Sequence, residues 1–235
     1  MAGYPCPAPL GDVDQLDTWA VSAEVLIGGG KQRDPDLGAG PYATLLGQLI
    51  AAAPEVASLP TLLPSPPWTA WDHPAATTWP ERDDRGTNLN LVDSPSWIDD
   101  SARRMRDLLS AYEAPLRLGH GDWESQNIRW IGDDPLAVHD WDSVIAQPEA
   151  AIVGLAAAVW PPGGAATVAQ TRQFINAYQT AFGDWSGHDR AAAWAAGLWV
   201  RLFNAKKDAS EGGGAQLDRL RDELDERLYR AGLDD

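Results

Sequence analysis

Apolar positions along the chain repeat with two different periods, and the changes between them mark out the elements. Trp19, Val21, Ala23, Val25 and Ile27 alternate with their neighbours, which predicts a strand ending at the Gly28-Gly29-Gly30 break. Residues 1–16, rich in Pro, Gly and Asp, have no period and read as an irregular lead-in. Leu45, Leu46, Leu49 and Ile50 fall at helical spacing and predict a helix over 41–56. Pro60, Pro64, Pro66, Pro67, Pro74, Pro80 and Pro95 forbid long regular elements over 57–95. Trp68, Trp71 and Trp79 make that stretch a packed excursion rather than a disordered one. Ser96, with Asp99 as its acidic partner, is placed to cap a helix whose face carries Ile98, Met105, Leu108, Leu109 and Tyr112 and which ends near Glu113.

Residues 116–118 then lead into a polar loop. Strands at 128–131 and 136–139 flank Gly132-Asp133-Asp134-Pro135 as a hairpin. Four helices follow, over 149–160, 165–182, 188–206 and 216–230, the last with Leu217, Leu220, Leu224 and Leu228 in one stripe. Its charges read as a solvated face laced with ion pairs, and no internal repeat is present.

Composition narrows the function classes. At 235 residues and 44% apolar content, the chain can bury one sizeable core, or a large lobe with a small appendage. Lys and Arg total 18 against 34 Asp and Glu, a formal charge of -16, which disfavours nucleic acid and anionic membrane partners and suits a cationic small molecule. Cys6 is the only cysteine, so no internal disulfide forms and a reducing compartment is allowed. With no apolar window of about 18 residues and no basic, apolar leader, a soluble cytoplasmic protein is expected.

The segment GHGDWESQNIRWIGDDPLAVHDWDS, residues 119–143, concentrates the chemistry. Phosphoryl transfer needs a carboxylate to receive the acceptor's proton, metal ions across the phosphates, and oxygen ligands for those metals. Asp122 is the candidate base, and Asn127, five residues later, can share a tight loop with it. Asp140, at the end of the next strand, offers a charged oxygen ligand, with Asp142 two residues on. Glu124 and Gln126 read as exposed loop side chains, and Trp123 and Trp141 as cleft wall. Gly28-Gly29-Gly30-Lys31 is not a phosphate loop, because Gln32 stands where Ser or Thr is needed; a hinge turn explains it better.

His120-Gly121-Asp122 with Asn127, followed 12 residues later by His139-Asp140-Trp141-Asp142, resembles the aminoglycoside phosphotransferase and choline kinase family, whose fold is that of protein kinases. The resemblance implies a mainly helical α+β chain. Residues 1–30 would be a lead-in with a small-lobe remnant and hinge strand, and 31–235 the kinase-like large lobe. It implies Asp122 as catalytic base, Asn127 and Asp140 as magnesium ligands, His120 as support for the loop, and Asp142 as an acidic neighbour whose role is open. Glu24, Val25, Leu26 and Ile27 would hold the adenine of ATP (or GTP) by their main chain. The phosphate acceptor would be a hydroxyl on a small, cationic molecule, bound by the helices after residue 145.

One departure accompanies the match. Kinases of this fold carry a glycine-rich loop and a strand lysine in the small lobe. Only about 18 residues precede the hinge strand here, and the first lysine, Lys31, lies beyond it. Three expectations follow: the large-lobe portion of a kinase whose small lobe is missing, with self-association or a separate small-lobe segment as its partner; a minimal kinase that positions ATP through magnesium and the hinge; or a relative that binds nucleotide or ligand without catalysis. The competing enzyme class is a hydrolase using His120, His139 and nearby carboxylates as transition-metal ligands.

Overall fold

A computed structural model of the chain describes residues 3–17, 19–59, 62, 65–212 and 214–233. Near the N-terminus, β1 (Asp14–Leu16) pairs antiparallel with β2 (Trp19–Val21). Helix α1 (Gly40–Ala52) precedes the proline-rich excursion, and α2 (Ser96–Ala111) closes it. Next come β3 (Leu116–His120), the hairpin of β4 (Ile128–Ile131) and β5 (Asp134–Val138), and β6 (Val144–Pro148), which returns antiparallel to β3. Helices α3 (Glu149–Val159), α4 (Val168–Phe182), α5 (Gly187–Ser210) and α6 (Ala215–Arg230) complete the chain. Among the described residues, no helix is long and apolar enough to cross a membrane.

Helix α3 is the centre of the core. Its sequence EAAIVGLAAAV is apolar on every side, and every residue from Ala150 to Val159 is buried, as expected of a helix covered all round. It crosses α5 with backbones in contact. A Cβ at Gly154 would lie 1.9 Å from the Ala193 carbonyl oxygen, and one at Gly197 would lie 2.8 Å from that of Gly154. Glycine is required at Gly154 because the obstruction is main chain and cannot rotate away.

The excursion is packed because α2 ties it down. The Arg106 guanidinium donates to the carbonyls of Trp71 at 2.8 Å, His73 at 2.7 Å and Ala75 at 2.9 Å, and also to that of Thr77. These charge-assisted bonds satisfy carbonyls that a proline-rich segment cannot pair within a ladder. Trp79, fully buried, packs against Trp199 and Phe203 of α5 at ring separations of 5.2 and 6.0 Å.

Several sequence expectations shift for local reasons. The strand expected over 19–27 is regular only at Trp19–Val21; beyond it, Leu10 N–H donates to Ala23 O and Val25 N–H to Ala8 O. Of its alternating positions Val21, Ala23 and Val25 are exposed and Ile27 is half-buried, because no second layer among the described residues covers that face. The lead-in is less irregular than expected, since it supplies β1. Helix α1 stops at Ala52, because Ala53 precedes Pro54 and takes an extended ψ of 147°.

Ser96 does not cap α2. Pro95 occupies that position, and Asp99 instead accepts from Trp79 Nε1 at 2.7 Å and Lys206 Nζ at 2.8 Å. Tertiary partners thus outcompete a local motif. Capping boxes form instead at Thr167 with Gln170 and at Ser186 with Asp189.

Candidate functional site

The polar loop after β3 is held by glycines and one histidine. A Cβ at Gly119 would lie 2.4 Å from Ile152 Cγ2, and one at Gly121 would lie 2.9 Å from Ile145 Cγ2, so small residues let the strand end press against α3 and β6. His120 is fully buried. Its Nδ1 accepts the Asp122 N–H at 3.1 Å, so Nε2 carries the ring proton and donates to His139 O at 2.9 Å. Burial holds its pKa below the usual histidine value, which keeps this neutral tautomer. His120 therefore pins the start of the loop to the end of β5.

Two further main-chain bonds complete the frame: Gly121 N–H to Ser143 O at 2.7 Å, and His139 N–H to Asn127 O at 2.8 Å. Trp123, fully buried, donates from Nε1 to Tyr42 O at 3.2 Å, and Trp141 stacks edge-on to His120. Neither lines the cavity beside the loop, so both pack behind it rather than forming the cleft wall expected of them.

Within this frame Asn127 brings the expected residues together. Its Nδ2 donates to Asp122 O and Asp122 Oδ2, each at 3.0 Å, and lies 3.4 Å from Asp140 Oδ2. Asp140 holds a left-handed backbone, φ 69° and ψ 47°, which turns the chain from β5 into the short turn Trp141–Ser143. Such a conformation costs a non-glycine residue roughly 1 kcal/mol.

Negative charge is crowded here. Burial raises the Asp122 pKa against the opposing hydrogen bond from Asn127. Asp142, on the exposed side, is raised by burial and by Asp140. Burial, then Asp122 and Asp140, push Glu124 up to about 7.

Asp122 and Glu124 face a cavity of about 310 Å³ whose other walls include Trp68 from the excursion and Phe203, Asn204 and Lys207 from α5. Lys207 Nζ is tied to Asp84 at 2.6 Å, and Arg85 on the same rim pairs with Glu211. Glu124 departs from the sequence expectation of an exposed side chain: it is half-buried and packs on Gly164. A carboxylate two residues from the candidate base was a signal for it. Asp84, Asn204 and Lys207 carried none, since only the fold brings the excursion and α5 to the loop.

Glu24, Val25, Leu26 and Ile27 do not line this cavity; Glu24 to Leu26 are exposed, and the Val25 N–H is taken by Ala8 O. Lys31 exchanges main-chain bonds with Trp130 at 2.9 and 2.8 Å. Gly30, at φ +67°, makes a turn in which a Cβ would meet Leu136 Cδ2 at 2.9 Å.

His120 is not free to act as the ligand that the transition-metal reading expects. Among the described residues, no three His, Cys, Asp or Glu side chains converge as a metal-binding group, and both ring nitrogens of His120 are engaged. A hard cation fits better. Asp140 offers an exposed carboxylate, and the Asn127 amide oxygen accepts no hydrogen bond among the described residues.

A helical lobe centred on α3, a β3–β6 ladder and an Asp-Asn loop joined to the following hairpin define the large lobe of a kinase-like fold. Solved enzymes share it. Macrolide 2'-phosphotransferase type I matches with a TM-score of 0.53 and 15% identity over 94% of this chain and 74% of its own. A spectinomycin phosphotransferase in complex with ADP and spectinomycin gives 0.50 at 13% identity, over 97% and 73%. An AMP-bound complex of spectinomycin phosphotransferase gives 0.51 at 13% identity, over 97% and 74%. At these identities the likeness is one of fold. No family model and no curated protein matches the sequence.

Proposed function

We propose that this protein is a phosphotransferase that moves the terminal phosphate of ATP or GTP to a hydroxyl of a small, cationic acceptor. The reading rests above all on Asn127, whose one amide group bridges the Asp122 main chain and carboxylate and reaches toward Asp140 beside a cavity. Asp122 orients the acceptor hydroxyl and takes its proton as the new O–P bond forms and the bond from the terminal phosphorus to the departing nucleoside diphosphate breaks. Its raised pKa suits a base that must hold that proton briefly. Asn127 and Asp140 would hold magnesium, which when bound neutralises charge on the phosphate oxygens. Asp142 adds charge beside them, and the proposed adenine contact is the main chain of Glu24 to Ile27 apart from the Val25 N–H, which Ala8 O takes.

The cavity favours a cationic acceptor, because Asp122 and Glu124 face it while Lys207 and Arg85 are each paired with a carboxylate. A separate small-lobe segment or a second copy would cover the nucleotide's phosphates.

The test is a mass-spectrometric transfer assay over aminoglycosides, macrolides, choline and sugars, with ATP and with GTP. Wild type should add one phosphate to an acceptor in a magnesium-dependent way. Asp122→Ala should lower the rate by at least about 10²-fold, with Asp140→Ala similarly impaired and both folded. Full activity in both variants would refute the assignment, and nucleotide binding without transfer to any acceptor would favour a binding role.

A further inference from the structure

Away from the cavity, the junction of α4, α5 and α6 holds charge that the catalytic reading does not use. Arg201 of α5 is 1% exposed, and its Nε, Nη1 and Nη2 have no hydrogen-bond partner among the described residues. A guanidinium carries five N–H donors in one plane. Burial and the neighbouring Arg227 lower its pKa only to about 10, so it remains charged at neutral pH.

Its neighbours do not neutralise it. Arg227 of α6, fully buried, donates Nε and Nη2 to Glu223 Oε2 at 3.0 and 2.7 Å and Nη2 to Ala166 O at 2.6 Å, while its Nη1 has no partner. The other Glu223 oxygen takes the Val168 N–H at the start of α4, at 3.4 Å. Two guanidinium groups and a helix N-terminus therefore share one carboxylate whose oxygens are both engaged. Buried charge of this kind requires a counter-charge and acceptors for its donors.

We infer that this junction binds a small monovalent anion of halide size, held by Arg201 with the free Nη1 of Arg227 beside it. A spherical anion accepts several N–H bonds without directional demand. Enclosure sets its size: Arg201 is nearly sealed and opens onto none of the clefts lined by Asp122, Tyr112 or Trp130. The site would brace α5 within two turns of Phe203, Asn204 and Lys207, which enter the cavity wall.

The test uses the whole chain. Thermal unfolding is followed in sodium chloride and in sodium gluconate at equal ionic strength, so that general screening of the -16 charge cancels. Chloride should raise the wild-type Tm by about 3–6 °C for each tenfold increase above its dissociation constant, gluconate should not, and Arg201→Met should lose the difference. Should that variant not fold, wild-type crystals grown in bromide supply the second reading: an anomalous peak within hydrogen-bond reach of the Arg201 guanidinium. Equal chloride and gluconate curves for the wild type, or a guanidinium hydrated by water alone, would overturn the site. A bromide peak without chloride-dependent stability would mark an adventitious ion and overturn it as well.

Discussion

Removing Asp99 should cost the protein more than removing Lys206, although the two form one ion pair. Lys206 Nζ lies 2.8 Å from Asp99 Oδ2 and 2.8 Å from Ser94 Oγ, and Trp79 Nε1 donates to Asp99 Oδ1 at 2.7 Å. Exposure is unequal: the lysine side chain is 1% exposed and the aspartate 34%. Asp99→Ala leaves a buried ammonium with only the Ser94 hydroxyl and strips Trp79 of its acceptor, a loss of about 3–5 kcal/mol. For a chain of this size that corresponds to a fall in Tm of about 6–20 °C. Lys206→Met fills nearly the same volume, and the remaining carboxylate keeps Trp79 and turns to water, for a cost of about 1–2 kcal/mol. The double variant should be more stable than the sum of the singles implies, by at least about 1 kcal/mol. Urea denaturation of wild type, both singles and the double variant measures all three quantities. Equal losses in the singles, or additivity within about 0.5 kcal/mol, would show that burial does not set the asymmetry.

Substitutions at three other sites probe different links. Glu124 titrates near 7 when folded and near 4.5 when unfolded, so over that window the unfolded state holds fewer protons and stability falls as pH rises, levelling off above about 7. Glu124→Gln should match wild type near pH 4.5 and exceed it by about 2–3 kcal/mol at pH 8, measured by urea unfolding; parallel pH profiles would contradict the burial assigned to Glu124. Gly154→Ala places a Cβ 1.9 Å from Ala193 O and should cost more than about 3 kcal/mol, so a Tm within about 2 °C of wild type would exclude the α3–α5 contact. Asp140→Gly should be more stable than Asp140→Ala by about 1 kcal/mol, since glycine accepts φ 69° freely, while neither variant transfers phosphate. Equal stability would remove the strain.

Some of this was legible residue by residue. The run 119–143 placed Asp122, Asn127 and Asp140 in order, and local geometry was enough to bring them together because a six-residue loop and one hairpin span the distance. Helices α1 to α6 followed from apolar spacing, within a few residues at each end. Other local signals misled. Ser96 and Asp99 have capping-box spacing, yet Asp99 is taken by Trp79 and Lys206, partners 20 and 107 residues away. The alternation over 19–27 has strand periodicity, but a period buries nothing without a layer to face.

What the sequence alone determined, then, was the order of chemistry and the helical character, both products of short-range spacing. The tertiary fold decided the β3–β6 ladder, whose strands have weak patterns, with Gly119 opposite Ile145 and close against Ile152 of α3. It also decided that Glu124 faces the cavity and that Asp84 and Lys207 meet at its rim across 123 residues of chain. Pockets and burial are sums over distant segments, and no periodicity along one segment carries that information.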